Sequence, residues 1–276
     1  MSRKPKGSLI IIGGGEDKER GKSILEEVAR RAKKRNGRLA LVTVATQQPE
    51  EVAEEYTKVF KELGVRTIDV VDIRAREEAF LDSNVQKIIK SFVIFFTGGD
   101  QLRITSQIGD SPVFRCMRDI HEQGGTIAGT SAGAAAMSET MLVGGPGDQS
   151  NEISALAMAP GLGFMSDMVI DSHFAQRGRI GRLLGAVSQN PRNLGVGIDE
   201  DTAIIVDHAE SFRVTGSGAV YVLDGAGVSY SSLSEEYPEG ILSIFDVKLH
   251  VLGEDDIFDL GNRRPYSPGQ PKVRTA

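Results

Sequence analysis

The stretch Gly125-Thr126-Ile127-Ala128-Gly129-Thr130-Ser131-Ala132-Gly133-Ala134-Ala135-Ala136-Met137 reads as a short apolar strand, a tight turn and the start of a small-residue helix. A Gly-x-Ser-x-Gly pentapeptide between strand and helix leaves room for backbone that a Cβ would block. It also holds the serine hydroxyl exposed at the carboxyl edge of a sheet. An amide beside the serine, that of Ala132, then points to where an oxyanion would form. Five such residues also fit an ordinary Gly/Ala-rich turn, so their surroundings decide whether Ser131 is a nucleophile.

Outward from this turn, the first two thirds of the chain alternate strand and helix. Ser8 to Ile12, Leu39 to Val44, Val65 to Val71 and Phe92 to Phe96 are strand-sized runs apolar on both sides. Between them, residues Asp17 to Lys34 set Ile24, Leu25, Val28, Ala29 and Ala32 on one helical face, stopped by Asn36-Gly37. Pro49 opens a helix carrying Val52, Tyr56, Val59, Phe60 and Leu63 and ending at Gly64, Val85 to Ile89 is a short helix, and Pro112 opens another that ends at Gly124-Gly125. This rhythm predicts an α/β fold, a doubly wound, mainly parallel sheet with helices on both faces. After about Ser211 the texture changes to short alternating strands divided by glycines, Ser211 to Thr215, Ala219 to Leu223, Val228 to Ser232, Ile241 to Leu252 and Ile257 to Leu260. They read as an antiparallel extension on the same sheet. The expected organisation is one domain over residues 1–276, with a core at about 8–210, an extension at about 211–261, and a proline-bearing tail poorly ordered at its end.

Composition agrees with this class. The chain has 276 residues, 40% hydrophobic, 25% charged and 32 glycines, as in soluble α/β proteins. A net charge of −6 argues against nucleic acid as a partner. No apolar run approaches the ~20 residues of a membrane span, and the basic amino terminus runs into a strand too short for a secretory core. The single cysteine, Cys116, allows no internal disulfide; with the missing leader it predicts a cytoplasmic location.

Sites in an open parallel sheet gather at the carboxyl ends of its strands. Gly13-Gly14-Gly15 followed by Glu16 and Asp17 lacks a nucleotide-binding register and reads as a tight turn lining a cleft. Thr97-Gly98-Gly99-Asp100-Gln101 offers the Gly99 amide as a second oxyanion donor beside Ala132. Asp171-Ser172-His173-Phe174 puts one of the four histidines at a strand end, where it suits a general base, while His121, His208 and His250 look like surface or packing residues. No histidine or cysteine stands at metal-ligand spacing, so no metal or cofactor is expected. Asp199-Glu200-Asp201 repel one another and need compensation. One of them orienting the imidazole would complete a Ser-His-acid triad, and a solvated acidic turn is the alternative. Arg177, Arg179 and Arg182 follow His173, and the last two, three residues apart, could clamp a substrate carboxylate or line a solvated helix face.

The four motifs Gly129 to Ala134, Thr97 to Leu102, Asp171 to Phe174 with its arginines, and Gly197 to Thr202 together resemble the cyanophycinases, over roughly Ile10 to Val206. These serine peptidases are related to aspartyl dipeptidases and share a class I glutamine amidotransferase-like fold. The resemblance implies hydrolysis of cyanophycin, a polyaspartate whose β-carboxyls carry arginine, into β-aspartyl-arginine dipeptides. It implies Ser131 as nucleophile, His173 as base and Glu200 as acid, with Gln101, Asp171, Ser172, Arg177, Arg179 and Arg182 in the substrate pocket. Glu16 or Asp17 join Asp171 as receivers of substrate guanidinium, and a homodimer is implied. Two positions depart from the pattern. Ser172 stands where glutamine is common, and near Asp148 an acid usual in the family is displaced, which makes Asp148 the rival to Glu200. The alternatives are an isoaspartyl or aspartyl dipeptidase acting on short peptides and a non-catalytic small-molecule binder. An amidotransferase would need cysteine in place of Ser131.

Overall fold

The computed structural model describes residues 7–143, 156–207, 210–234 and 241–269. Five strands, β1 (Ser8–Ile12), β2 (Arg38–Val42), β3 (Thr67–Val71), β4 (Val93–Phe96) and β5 (Thr126–Thr130), pair in parallel in the order β1-β5-β4-β2-β3. Alternation along each strand sends its residues to opposite faces. Ile10, Ile12, Leu41 and Phe95 pack with helices α1 (Ser23–Arg35) and α2 (Pro49–Glu62). Leu9, Ile11, Val42 and Phe96 pack on the other side with α3 (Asp82–Ile89), α4 (Gln101–Ile108) and α5 (Pro112–Glu122). Helices therefore cover both faces of the parallel part.

Beyond β5 come α6 (Ala132–Ala135), the pair β6 (Thr140–Val143) and β7 (Ala157–Pro160), then β8 (Met168–Asp171), α7 (Ile180–Gln189) and β9 (Leu194–Ile198). Strands β10 (Thr202–Asp207) and β11 (Ser211–Gly216) add antiparallel to β1. The extension does not stay on one sheet. Its strands β16 (Ile257–Asp259) and β17 (Arg264–Tyr266) continue from β11, but β12 (Val220–Asp224) and β15 (Lys248–Leu252) join β9 and β8 in a second sheet. The small pair β13 (Tyr230–Ser231) and β14 (Ile244–Phe245) stands apart. Val196, Ile198, Val220 and Val222 of the second sheet press onto the face of the first that carries Leu9 and Ile11, while α7 covers its other side through Leu183 and Val187. Strand β12 carries apolar side chains on both faces. Strand β9 turns Leu194, Val196 and Ile198 to one side and Gly195 and Gly197 to the other, where a Cβ would strike Leu183, Val187 and Phe174. Both strands can therefore be sandwiched; the alternation alone does not reveal which sheet they enter.

Three local differences from the sequence reading have physical causes. Helix α1 begins at Ser23, not Asp17, because the Asp17 carboxylate gathers the amides of Glu19, Arg20, Gly21 and Lys22 into a turn. Helix α4 falls where the sequence analysis assigns no element; Asp100 caps it by accepting the Leu102 amide at 2.8 Å, and Ile104 and Ile108, four apart, bury its inner face. Strand β17 lies in a stretch read only as tail, held by pairing with β16. No described helix is long and apolar enough to cross a membrane.

Candidate active site

Five loops at the carboxyl ends of β1, β4, β5, β8 and β9 meet at one edge of the molecule. The turn after β5 puts Ser131 at φ 52°, ψ −110°, a left-handed backbone unusual for a residue with a side chain. Such a conformation costs on the order of 1–3 kcal/mol and persists only where its surroundings over-determine it. Here the Ser131 N–H donates to the Ile12 carbonyl at 3.0 Å, and its own carbonyl accepts the Ala134 and Ala135 amides. A Cβ on Gly133 would lie 2.7 Å from Phe96 Cβ, so the second glycine of the pentapeptide lets α6 sit directly on β4.

His173 Nε2 lies 2.9 Å from Ser131 Oγ, and His173 Nδ1 lies 2.7 Å from Glu200 Oε1. A carboxylate only accepts, so Nδ1 carries the proton and Nε2 is left to accept from the serine hydroxyl. The imidazole is fixed from beneath as well. Its own backbone N–H donates to the Gly13 carbonyl at 2.7 Å, and a Cβ on Gly14 would meet the ring at 2.3 Å. Only glycine at position 14 permits that approach.

Tertiary contacts sort the three consecutive carboxylates. Asp199 is buried and accepts the Ala175 and Ala219 amides; Asp201 accepts the Asp17 amide and the Ser217 hydroxyl. Glu200 alone turns to His173. The repulsion expected of the trio is relieved by amides, because two of its members act as backbone caps. Asp148 lies outside the described residues, as does His208.

Of the two expected oxyanion donors, Ala132 adjoins Ser131 in the chain and Gly99 follows Gly98, the glycine that faces the serine. Among the described residues no acceptor takes the amides of Gly98, Gly99 or Ala132. Gly99 has φ 143° and is pressed against the Ala45 carbonyl, whereas the Gly98 position opens onto Ser131 Cβ at 3.4 Å.

The expected substrate pocket is built differently from the sequence reading. Asp171, expected to receive a substrate guanidinium, is 1% exposed and takes Arg182 Nε at 2.6 Å and Arg179 Nη1 at 3.2 Å. Arg179 also donates to the Ser172 carbonyl at 2.7 Å. The two arginines expected to clamp substrate carboxylates thus converge on a carboxylate of their own chain, because three charges brought into the interior must pair. Ser172 is buried beside them, its amide on Asp171. Arg177 remains exposed. Gln101 opens α4 and spends its side-chain amide on the Leu142 carbonyl at 2.7 Å.

Glu16 and Asp17 also differ from expectation. Asp17 organises the turn before α1, and its amides hold its carboxyl well below the usual range. Glu16 is buried; one oxygen accepts the Tyr56 hydroxyl and the other accepts the Thr130 hydroxyl at 2.6 Å. Burial, followed by the facing carboxylate, pushes the Tyr56 phenol up, so it stays a donor. The sequence reading missed this trio, although Tyr56 on an apolar helix face was a usable signal, since a buried tyrosine hydroxyl needs a partner. Among the described residues no group of three or more His, Cys, Asp and Glu could hold a metal ion. A cleft of about 670 Å³ lies at the opposite, amino-terminal edge of the sheet, lined by Gly7, His121, Phe164 and Leu194, away from Ser131.

Comparison with known proteins places this geometry in context. The family model of peptidase family S51 matches residues 9–214. A cyanophycinase of Geminocystis herdmanii is 35% identical over 269 residues, covering 97% of this chain and 98% of that protein. One from Nostoc sp. is 34% identical over 260 residues, covering 94% and 87%. Among solved structures, a peptidase from an acI-B1 actinobacterium superposes with a TM-score of 0.69 at 18% identity, over 93% of this chain and 98% of that one. A putative peptidase E protein from Listeria monocytogenes gives 0.51 at 15% identity, over 77% and 99%. At such identities the two structures speak to fold alone, which they share with this chain.

Proposed function

The chain belongs to peptidase family S51, and on that premise we propose that it is a serine-type hydrolase that cuts cyanophycin to β-aspartyl-arginine dipeptides through Ser131, His173 and Glu200. The observation that carries the chemistry is the continuous hydrogen-bonded path from Ser131 Oγ through both ring nitrogens of His173 to Glu200. As Ser131 attacks the scissile carbonyl, Nε2 takes the hydroxyl proton and Glu200 stabilises the imidazolium. The Ala132 and Gly99 amides receive the charge developing on the carbonyl oxygen. The imidazolium returns its proton to the leaving amine, and water repeats the sequence to release the acyl group.

The substrate rests on the likeness to curated cyanophycinases over nearly the whole chain. Arg177 is the exposed cation offered to substrate carboxylates, and Gln101 and Ser172 keep the pocket roles that the family likeness gives them. Asp171, Arg179 and Arg182 form the charged floor that shapes the pocket. We assign the protein to the cytoplasm, where a lone Cys116 suits a reducing environment, and to a homodimer, which sedimentation tests.

Incubation with purified cyanophycin followed by mass analysis should yield β-aspartyl-arginine. A folded Ser131→Ala protein should lose about 10⁴-fold or more in turnover, because such a triad works as a unit. Near-normal activity in that variant would end the serine-peptidase reading. Faster cleavage of short α-linked Asp-Arg or isoaspartyl peptides than of the polymer would substitute a dipeptidase.

A further inference from the structure

We propose that Glu16 is a positioning residue for Ser131, acting through the Thr130 hydroxyl, with Tyr56 fixing the carboxylate from its other side. This rests on Ser131 being the nucleophile. Thr130 is the last residue of β5, opposite Ile12 in the parallel pairing, and it immediately precedes the strained serine. The Ile12 carbonyl holds the Ser131 amide from the backbone side. Four residues on, Glu16 holds the Thr130 side chain at 2.6 Å. One short segment therefore grips the elbow twice, through main chain and side chain.

The same segment reaches the other two members of the site. The Gly13 carbonyl accepts the His173 amide, the Gly14 carbonyl accepts the Asp201 amide at 2.9 Å, and the Asp17 amide donates to Asp201 Oδ1 at 2.9 Å. A Cβ at Gly15 would touch the Glu200 side chain at 3.0 Å. Residues 12–17 thus form the common frame against which serine, imidazole and carboxylate are registered. Within it Glu16 is the only side chain bonded to the nucleophile's strand.

A carboxylate in the interior must have its oxygens hydrogen-bonded. Each Glu16 oxygen has one hydroxyl, so loss of either leaves an acceptor unpaired and frees the carboxylate to swing. Tyr56 cannot follow such a movement. Its ring lies 5.0 Å from that of Phe95 in the core, and Lys18 Nζ stands 4.2 Å above it. The arrangement is stiff on the Tyr56 side, so displacement falls on Thr130 and with it on Ser131. A misplacement near 1 Å at a reacting atom costs about 10²-fold in rate.

The test compares Thr130→Val, which keeps shape and removes the hydroxyl, with Thr130→Ser, which restores it, and adds Glu16→Gln and Tyr56→Phe. Two readouts are taken on each folded protein: kcat and KM on cyanophycin, and the rate at which a fluorophosphonate probe modifies Ser131, followed by intact mass. We expect Thr130→Val and Glu16→Gln to lower kcat and probe reactivity together by about 10- to 100-fold with KM little changed. Tyr56→Phe should lower them less, and Thr130→Ser should recover most of both. Unchanged kcat and probe rate in Thr130→Val would overturn the inference while leaving Ser131 as nucleophile. So would failure of all three hydroxyl- and charge-removing variants to fold, which would assign the trio to stability alone. Wild-type protein that is neither labelled at Ser131 nor active on cyanophycin would instead remove the catalytic reading beneath it.

Discussion

His173, in the loop after β8, and His121, in α5, stand at opposite ends of the strands and show how neighbours set what an imidazole can do. His173 sits at the carboxyl end, with Glu200 on Nδ1, Ser131 on Nε2 and glycines beneath it. His121, near the end of α5, is 4% exposed; among the described residues its Nε2 has no partner, and its ring meets Phe164 edge-on at 5.6 Å. Burial holds it neutral, its pKa lowered to about 4. A histidine buried with no group to share its proton resists protonation, whereas one held between a hydroxyl and a carboxylate can accept a proton and keep it briefly. The partners decide this, and they come from other strands.

The comparison is tested most sharply at the carboxylate. Glu200→Gln preserves shape but turns a pure acceptor into a group that can present a donor to Nδ1, which favours the wrong tautomer. We expect kcat on cyanophycin to fall about 10³-fold or more with the fold intact, by analogy with Asn for Asp in other triads. Asp148→Asn should leave the rate near that of the unmodified protein. The reverse ranking in steady-state kinetics would move the acid role away from Glu200.

Next in size is the charged floor beside His173. Asp171→Asn removes the carboxylate shared by two buried guanidinium groups, and breaking such a pairing costs about 3–5 kcal/mol. Urea unfolding should show this loss. A change below about 1 kcal/mol would mean that the cluster is hydrated and open to substrate, returning Arg179 and Arg182 to the role of carboxylate clamp.

The smallest effect belongs to the other end of the sheet. Between pH 6.5 and 4 the unfolded chain takes up a proton at His121 that the fold refuses, so this residue removes stability as pH falls through that window. The loss amounts to about 2–3 kcal/mol by pH 4.5. His121→Leu should therefore shrink the drop in unfolding free energy between pH 7.5 and 4.5 by that amount, whatever the substitution does at neutral pH. Equal drops in the two proteins would show that His121 is hydrated. The activity profile should keep its shape in the variant, since His121 touches no residue of the Ser131 site.

Much of the molecule was legible in the chain because its signals are local. Two-sided apolar runs give buried parallel strands, Asn36-Gly37 and Pro49 punctuate helices, and Gly129 to Gly133 makes a strained turn wherever a helix must leave a strand so abruptly. Glycine at 14 and histidine at 173 could likewise be placed at strand ends by position alone. Pairings across the fold could not be read this way. Ser131 and His173 are 42 residues apart, His173 and Glu200 are 27 apart, and Thr130 and Glu16 are 114 apart. Periodicity says which face a residue takes, and composition says that a buried charge needs a partner. Neither says which partner, because that depends on strand order and on which sheet β12 and β15 enter. The local pattern of the chain is thus enough for an α/β sheet with a serine at its carboxyl edge. Strand order and packing select Glu200 from three carboxylates to meet the imidazole, bring Arg179 and Arg182 onto Asp171, and bury Glu16 against Thr130.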